Sequence, residues 1–116
     1  METILPVFFN FQSAIQLYHW NTFSHARHEA AGELYTAMNG LIDRFVEVFI
    51  GRFRRPVFRN DLAITVPRLT HRSVVPFLRS FIQFLRDLGA LPSELLNIRD
   101  EMLAEIDRTL YRFTQK

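Results

Sequence analysis

The sequence predicts an all-α domain, a four-helix bundle formed by residues 1–116 as a single unit. Two observations lead there. Apolar residues recur at helical spacing in four separate stretches, and short polar breaks follow the first and third of them. The composition supplies a core: 48% of the residues are hydrophobic, with 12 Phe, while 22% are charged, close to the average for a folded protein.

The first helix is expected over 3–20, from the repeat of Ile4, Phe8, Phe11, Ile15 and Tyr18. Asn21-Thr22-Phe23-Ser24 breaks it, and Ser24 suits an N-cap. The second helix follows over about 25–51, with Ala30, Leu34, Ala37, Met38, Leu41, Phe45, Val48 and Phe49 on its apolar face and Gly51 at its end. Residues 52–72 carry Pro56, Pro67 and clustered Arg without a sustained period, a long connection for a compact domain. The third helix is expected over 73–88 on Val74, Phe77, Leu78, Phe81, Leu85 and Leu88. After the turn Gly89-Ala90-Leu91-Pro92-Ser93, with Ser93 as N-cap, the fourth covers 94–114 on Leu95, Ile98, Met102, Ile106, Leu110 and Phe113.

Short turns after the first and third helices make two antiparallel hairpins. If the long connection runs the length of the bundle, the second and third helices lie parallel, the ferritin-like way of joining four helices. An up-down-up-down bundle with an irregular loop is the alternative.

Other classes are narrowed by composition. The chain has no cysteine, which excludes disulfides, thiolate zinc sites and Cys nucleophiles. Met1-Glu2-Thr3 lacks the basic start of a signal peptide, and no apolar run approaches the roughly 18 residues that span a bilayer, so neither secretion nor a membrane is expected. There is no Gly-rich phosphate loop, nucleophile motif or HExxH. The charge is uneven. Residues 51–86 set Arg52, Arg54, Arg55, Arg59, Arg68, Arg72, Arg79 and Arg86 against Asp61 alone, while acidic residues outnumber basic ones before and after. Arg52, Arg54, Arg55 and Arg59 are therefore candidates for contact with nucleic acid. The competing reading is a solvated linker whose arginines pair with the acidic helices.

The chemistry-bearing residues are His19, His28, Asp43 and Glu47. On a helical wheel, His25, His28, Asp43 and Glu47 lie opposite the apolar side of the second helix, with Gly32, Thr36 and Asn39 between them. His28 and Asp43 are 15 residues apart in the sequence, about 22 Å along one helix, so one chain cannot bring them to one ion. His19 can meet His28 across the break between the first two helices, and Asp43 and Glu47 are i,i+4 neighbours. The chain thus offers two half-sites. A two-fold antiparallel pairing of the second helix with its twin, centred near Thr36, sets residue 28 against about residue 44 and would join them. Gly32, Thr36 and Gly40 are spaced by four about that centre, so they are the expected dimer interface. Two imidazoles and two carboxylates without thiolate suit iron, manganese or zinc. The plain alternative is a solvated face with Asp43 and Glu47 paired to Arg44, Arg52 or Arg54.

At His19-Trp20-Asn21, His28-Glu29, Asp43 and Glu47 the chain resembles the mini-ferritins of the Dps type. The resemblance covers roughly residues 15–52. It implies a ferritin-like fold, an iron site shared across a two-fold dimer and possible ferroxidase activity. The spacing between the two His is three residues shorter here, and Gly32 stands where that family carries a further carboxylate. Over the same span the chain is also similar to a group of small proteins from large DNA viruses. The shared pattern is His19-Trp20, Thr22, Ser24, Ala26, His28, Gly32, Tyr35, Ile42-Asp43, Phe45-Val46-Glu47 and Gly51. That likeness implies a viral origin, hence the host cytoplasm or the virion, and no particular activity. The sequence therefore leads to a ferritin-like metal-binding homodimer or larger oligomer. The alternatives are a structural or virion-assembly bundle without metal chemistry, or a nucleic-acid-packaging protein.

Overall fold

The computed structural model describes residues 1–115 and contains four helices: α1 (Ile4–Asn21), α2 (His25–Arg52), α3 (Val74–Arg86) and α4 (Ser93–Arg112). The molecule measures 44 × 31 × 20 Å, and its long axis matches the roughly 42 Å expected of the 28-residue α2. No helix is long and apolar enough to cross a membrane among the described residues.

Cross-helix pairs give the topology. Phe8 meets Phe45 and Gln12 meets Asn39, so α1 and α2 run antiparallel. Arg44 pairs with Glu101 and Glu33 with Arg112, so α2 and α4 run antiparallel. Phe8 packs on Phe84 while Phe11 packs on Phe77, so α1 and α3 are antiparallel as well. It follows that α2 and α3 are parallel, which excludes the up-down-up-down alternative. The connection between them is an extended strap along α1. Arg54 and the Val57 N–H donate to the Glu2 carboxylate, the Asn10 side chain donates to the Thr65 carbonyl, and Arg27 donates to the His71 carbonyl. These anchors follow one another from one end of α1 to just past the other.

Glu2 is the strap's charged anchor. Its hydrogen bond with Arg54, then that with Val57, holds its pKa down to about 2 from an ordinary 4.5. A depressed carboxylate pKa stabilises the docked state above the unfolded value and loses that contribution as pH falls through the folded one. The Glu2 anchor is therefore complete above about pH 4.5 and lost towards pH 2. Replacing Glu2 by Gln removes the charge at all pH values. The variant is expected to be cleaved faster by trypsin after Arg59, with helix content by circular dichroism unchanged. Equal cleavage rates in the two proteins would show that Glu2 does not hold the strap.

Local chemistry sets the helix ends. Ser24 caps α2 as expected, its Oγ accepting from the Arg27 N–H at 3.2 Å. At α4, however, Ser93 is the first helical residue and Pro92 is the cap, without a side-chain cap bond. Proline's fixed φ supplies the non-helical entry residue, which leaves no role for a hydroxyl there. α2 runs past Gly51 to Arg52. α3 stops two residues short of the expected end because Gly89, at φ +84°, turns the chain toward α4.

The core is largely the expected one: Phe8, Phe11, Ile15, Leu34, Met38, Phe45, Val74, Leu78, Leu85, Leu95, Met102 and Ile106 are fully buried. Two readings of α2 change. Ile42 and Ala31 are buried, whereas Leu41, Val48 and Phe49 rest half-buried at the core margin. α2 lies between α1 and α4, so its buried face is broader than a single stripe. Phenylalanines concentrate where α1, α2 and α3 meet: Phe11 stacks on Phe81 with centroids 4.0 Å apart, and Phe8 sits edge-on to Phe45 at 5.6 Å.

Candidate metal half-sites on α2

His19 and His28 are brought together by the three-residue turn between α1 and α2. Their rings stack with centroids 4.0 Å apart and planes 14° from parallel. Each ring is tied to the other residue's backbone: His19 Nδ1 lies 2.6 Å from the His28 carbonyl oxygen, and His28 Nδ1 lies 2.7 Å from the His19 carbonyl oxygen. A carbonyl only accepts, so each Nδ1 carries the hydrogen, and the lone pair of the unprotonated tautomer lies on Nε2. Neither Nε2 has a hydrogen-bond partner among the described residues. Both rings border a shallow groove on α2, bounded further by His25, Glu29, Gly32 and Thr36.

Gly32 has a role the sequence did not disclose. A Cβ built there falls 2.7 Å from His19 Cε1 and 2.9 Å from His19 Nδ1. The α2 backbone at Gly32 is thus the seat of the His19 ring. The signal was present in the spacing, since Gly32 stands four residues after His28 and one helical turn along the same face. Thr36 and Gly40 continue this face outward, both exposed, and nothing lies within 4 Å of a Cβ built at Gly40. His25 was outside the expected ligand set. It lies exposed beside the pair, with its Nε2 3.1 Å from Glu29.

Asp43 and Glu47 are exposed on α2. Asp43, through a shared hydrogen bond and then its charge, pushes the Glu47 carboxyl above its usual pKa. Two carboxylates crowded in this way have a mutual repulsion that a bound cation would relieve. The arginines named as competitors are engaged elsewhere: Arg44 pairs with Glu101, Arg54 with Glu2, and Arg52 lies over the Phe53 ring at 5.0 Å. The carboxylate pair has no basic partner among the described residues.

The imidazole pair and the carboxylate pair stay apart, as helix length requires. Among the described residues no group of three or more His, Cys, Asp or Glu is placed to hold a metal ion. Donor chemistry nevertheless fits at each half: two imidazoles with oriented free lone pairs, and two crowded carboxylates. The Arg-rich segment is less uniform than its sequence. Arg54 and Arg52 have the contacts just named, while Arg55 and Arg59 are exposed without an ion pair among the described residues.

A family profile matches residues 19–113, and its description is a family of unknown function (DUF5856). The matched span takes in the His pair, the carboxylate pair and the strap. No curated protein and no solved structure matches the chain.

Proposed function

We propose, from the premise that this chain belongs to the DUF5856 family, that it is a ferritin-like metal-binding protein whose sites are shared between two copies of the chain. The observation that carries this reading is the His19–His28 pair. Reciprocal Nδ1–H to carbonyl bonds fix both tautomers and leave both Nε2 atoms free at a surface groove. Backbone carbonyls behind ligand imidazoles are the usual support of metal-binding histidines. Completion requires the partner's Asp43 and Glu47, brought by antiparallel pairing of α2 about Thr36. The exposed Thr36 and Gly40 leave room for close approach there.

Imidazole and carboxylate without thiolate favour iron, manganese or zinc. With iron, the bound metal would supply oxidation of the ferrous ion by oxygen or peroxide at open coordination positions. The chain's own residues would orient the donors, with each Nδ1–H held on a backbone carbonyl and each Nε2 turned toward the metal. The likeness to small proteins of large DNA viruses would place this chemistry in the host cytoplasm or the virion.

A second reading is an assembly bundle of the same shape without metal. It is favoured by the lack of any three donors in one chain among the described residues. The two readings part experimentally. The protein is loaded with ferrous, manganous or zinc ion and its metal content measured beside His28→Ala, Glu47→Ala and a co-refolded mixture of the two variants. The wild type is expected to bind one metal per chain and each variant almost none. The mixture should recover about one quarter of the wild-type content, because half its dimers carry one intact site. Equal metal in all four samples would falsify the shared site. A dimer that survives chelation without ever taking up metal would favour the assembly reading.

A further inference from the structure

We propose that the corner between α1 and α2 is a binding site for a nucleotide unit, a planar base joined to an anionic phosphate, separate from the metal half-sites. A cleft of about 620 Å³ opens there between the end of α1, the turn and the last part of the strap. Its lining includes Asn21, Thr22, Phe23, Arg68, Thr70 and His71, and no lining residue is acidic. Arg68 and His71 make no side-chain ion pair among the described residues, and Asp61, the one acidic residue of the strap, is not among the lining residues. The cleft thus offers positive charge and hydroxyl and amide groups to an anion.

Phe23 supplies the planar face. Its exposure is 106% of the reference value, so nothing among the described residues covers it. It is not loose. The Thr22 N–H donates to the Tyr18 carbonyl, the Ser24 N–H to Thr22 Oγ1, and the Arg27 N–H to Ser24 Oγ, so the turn that carries Phe23 is hydrogen-bonded on both sides. A fully solvated phenyl ring on a hydrogen-bonded turn beside a cationic cleft is an arrangement that stacks a base while the phosphate is neutralised.

The cleft is formed before any ligand arrives. Arg27 Nη1 donates to Tyr18 Oη at 3.3 Å and to the His71 carbonyl at 3.0 Å, while its guanidinium covers the Phe113 ring at 4.8 Å. One side chain therefore joins the helical wall of the cleft to its strap wall.

Trp20, the only tryptophan, is 64% exposed in the last turn of α1, three residues before Phe23, and serves as the reporter. The experiment titrates AMP, inorganic phosphate, adenosine and a ten-nucleotide oligothymidylate into the full chain in chelator. Trp20 fluorescence and calorimetry are the readouts, repeated on Phe23→Ala, Arg68→Ala, Phe23→Trp and His28→Ala/Glu47→Ala. Saturable AMP binding is expected, with phosphate and adenosine each at least about tenfold weaker. Phe23→Ala and Arg68→Ala should each weaken AMP by about five- to a hundredfold, while Phe23→Trp retains it. The metal double variant should bind AMP as the wild type does, which keeps this result independent of the metal reading. An oligonucleotide tighter than AMP would assign the site to one unit of a single strand, and the reverse order to free nucleotides; either outcome supports the proposal. No saturable AMP binding up to about 5 mM, phosphate as tight as AMP, or unchanged affinity in both alanine variants would overturn it.

Discussion

Phe8→Ala is expected to cost about 3–5 kcal/mol of folding stability, the range for a fully buried phenylalanine. Phe8 is fully buried and lies where three helices meet: edge-on to Phe45 of α2 at 5.6 Å, edge-on to Phe84 at 6.2 Å and tilted to Phe81 at 6.4 Å on α3. Truncation removes the transfer free energy of a phenyl ring and leaves a cavity lined by other rings, which interlock and cannot collapse into it. Each aromatic pair adds roughly 0.5–1.5 kcal/mol beyond burial. Against a total stability of about 5–15 kcal/mol, the variant should keep only a marginal fold. Urea denaturation followed by circular dichroism measures the change. Phe9→Ala is the control: Phe9 is 42% exposed one residue away, and its truncation should stay within about 0.5 kcal/mol. Similar losses for the two variants would mean that the aromatic junction does not hold the bundle together.

Gly32→Ala is expected to separate the candidate site from the stability of the fold. In most helices Ala in place of Gly gains up to about 1 kcal/mol. Gly40 should show that gain, because nothing lies within 4 Å of its added Cβ. At Gly32 the same methyl meets His19 Cε1 at 2.7 Å and drives the ring off its seat. His19 then loses its bond to the His28 carbonyl and its stack on the His28 ring. The net stability change should be smaller than at Gly40, because the propensity gain offsets the lost contacts. The His19 imidazole resonances should shift strongly in NMR spectra of Gly32→Ala and barely in those of Gly40→Ala. On the proposed function, Gly32→Ala should also lose most of its metal while remaining folded. Unmoved His19 resonances would sink the account of Gly32 as a seat.

These two residues also show what the sequence could and could not disclose. Phe8 was legible because helical spacing and apolarity suffice to place it in a core. The same spacing placed the four helices, the two hairpins and the long connection. The parallel order of α2 and α3 was open in the sequence and rests on particular pairs, such as Phe11 with Phe77 and Arg44 with Glu101. At α2 the stripe was misjudged at Leu41 and Ile42, because a wheel does not say how many neighbours a helix has. The candidate site divides similarly. Helix length alone separated His28 from Asp43, and the short break alone joined His19 to His28. The small residue Gly32 was read as room for a second subunit, whereas in the chain itself that room is filled by an imidazole. Capping was legible at Ser24 and not at Ser93, since a preceding proline displaces the hydroxyl from its usual place.

The strap along α1 has a consequence for how the molecule endures cutting. With no cysteine to add a cross-link, residues 53–73 are the only covalent tie between the α1–α2 hairpin and the α3–α4 hairpin. Yet the hairpins share one core, and their helices interleave, α2 lying on α4 and α1 on α3. A single break near Arg59 therefore turns a folding domain into a self-assembling pair. The intact strap then counts as an effective concentration, of millimolar order for a short flexible tether, that one hairpin supplies to the other. The nicked protein keeps its shape while concentrated, and dilution alone takes it apart.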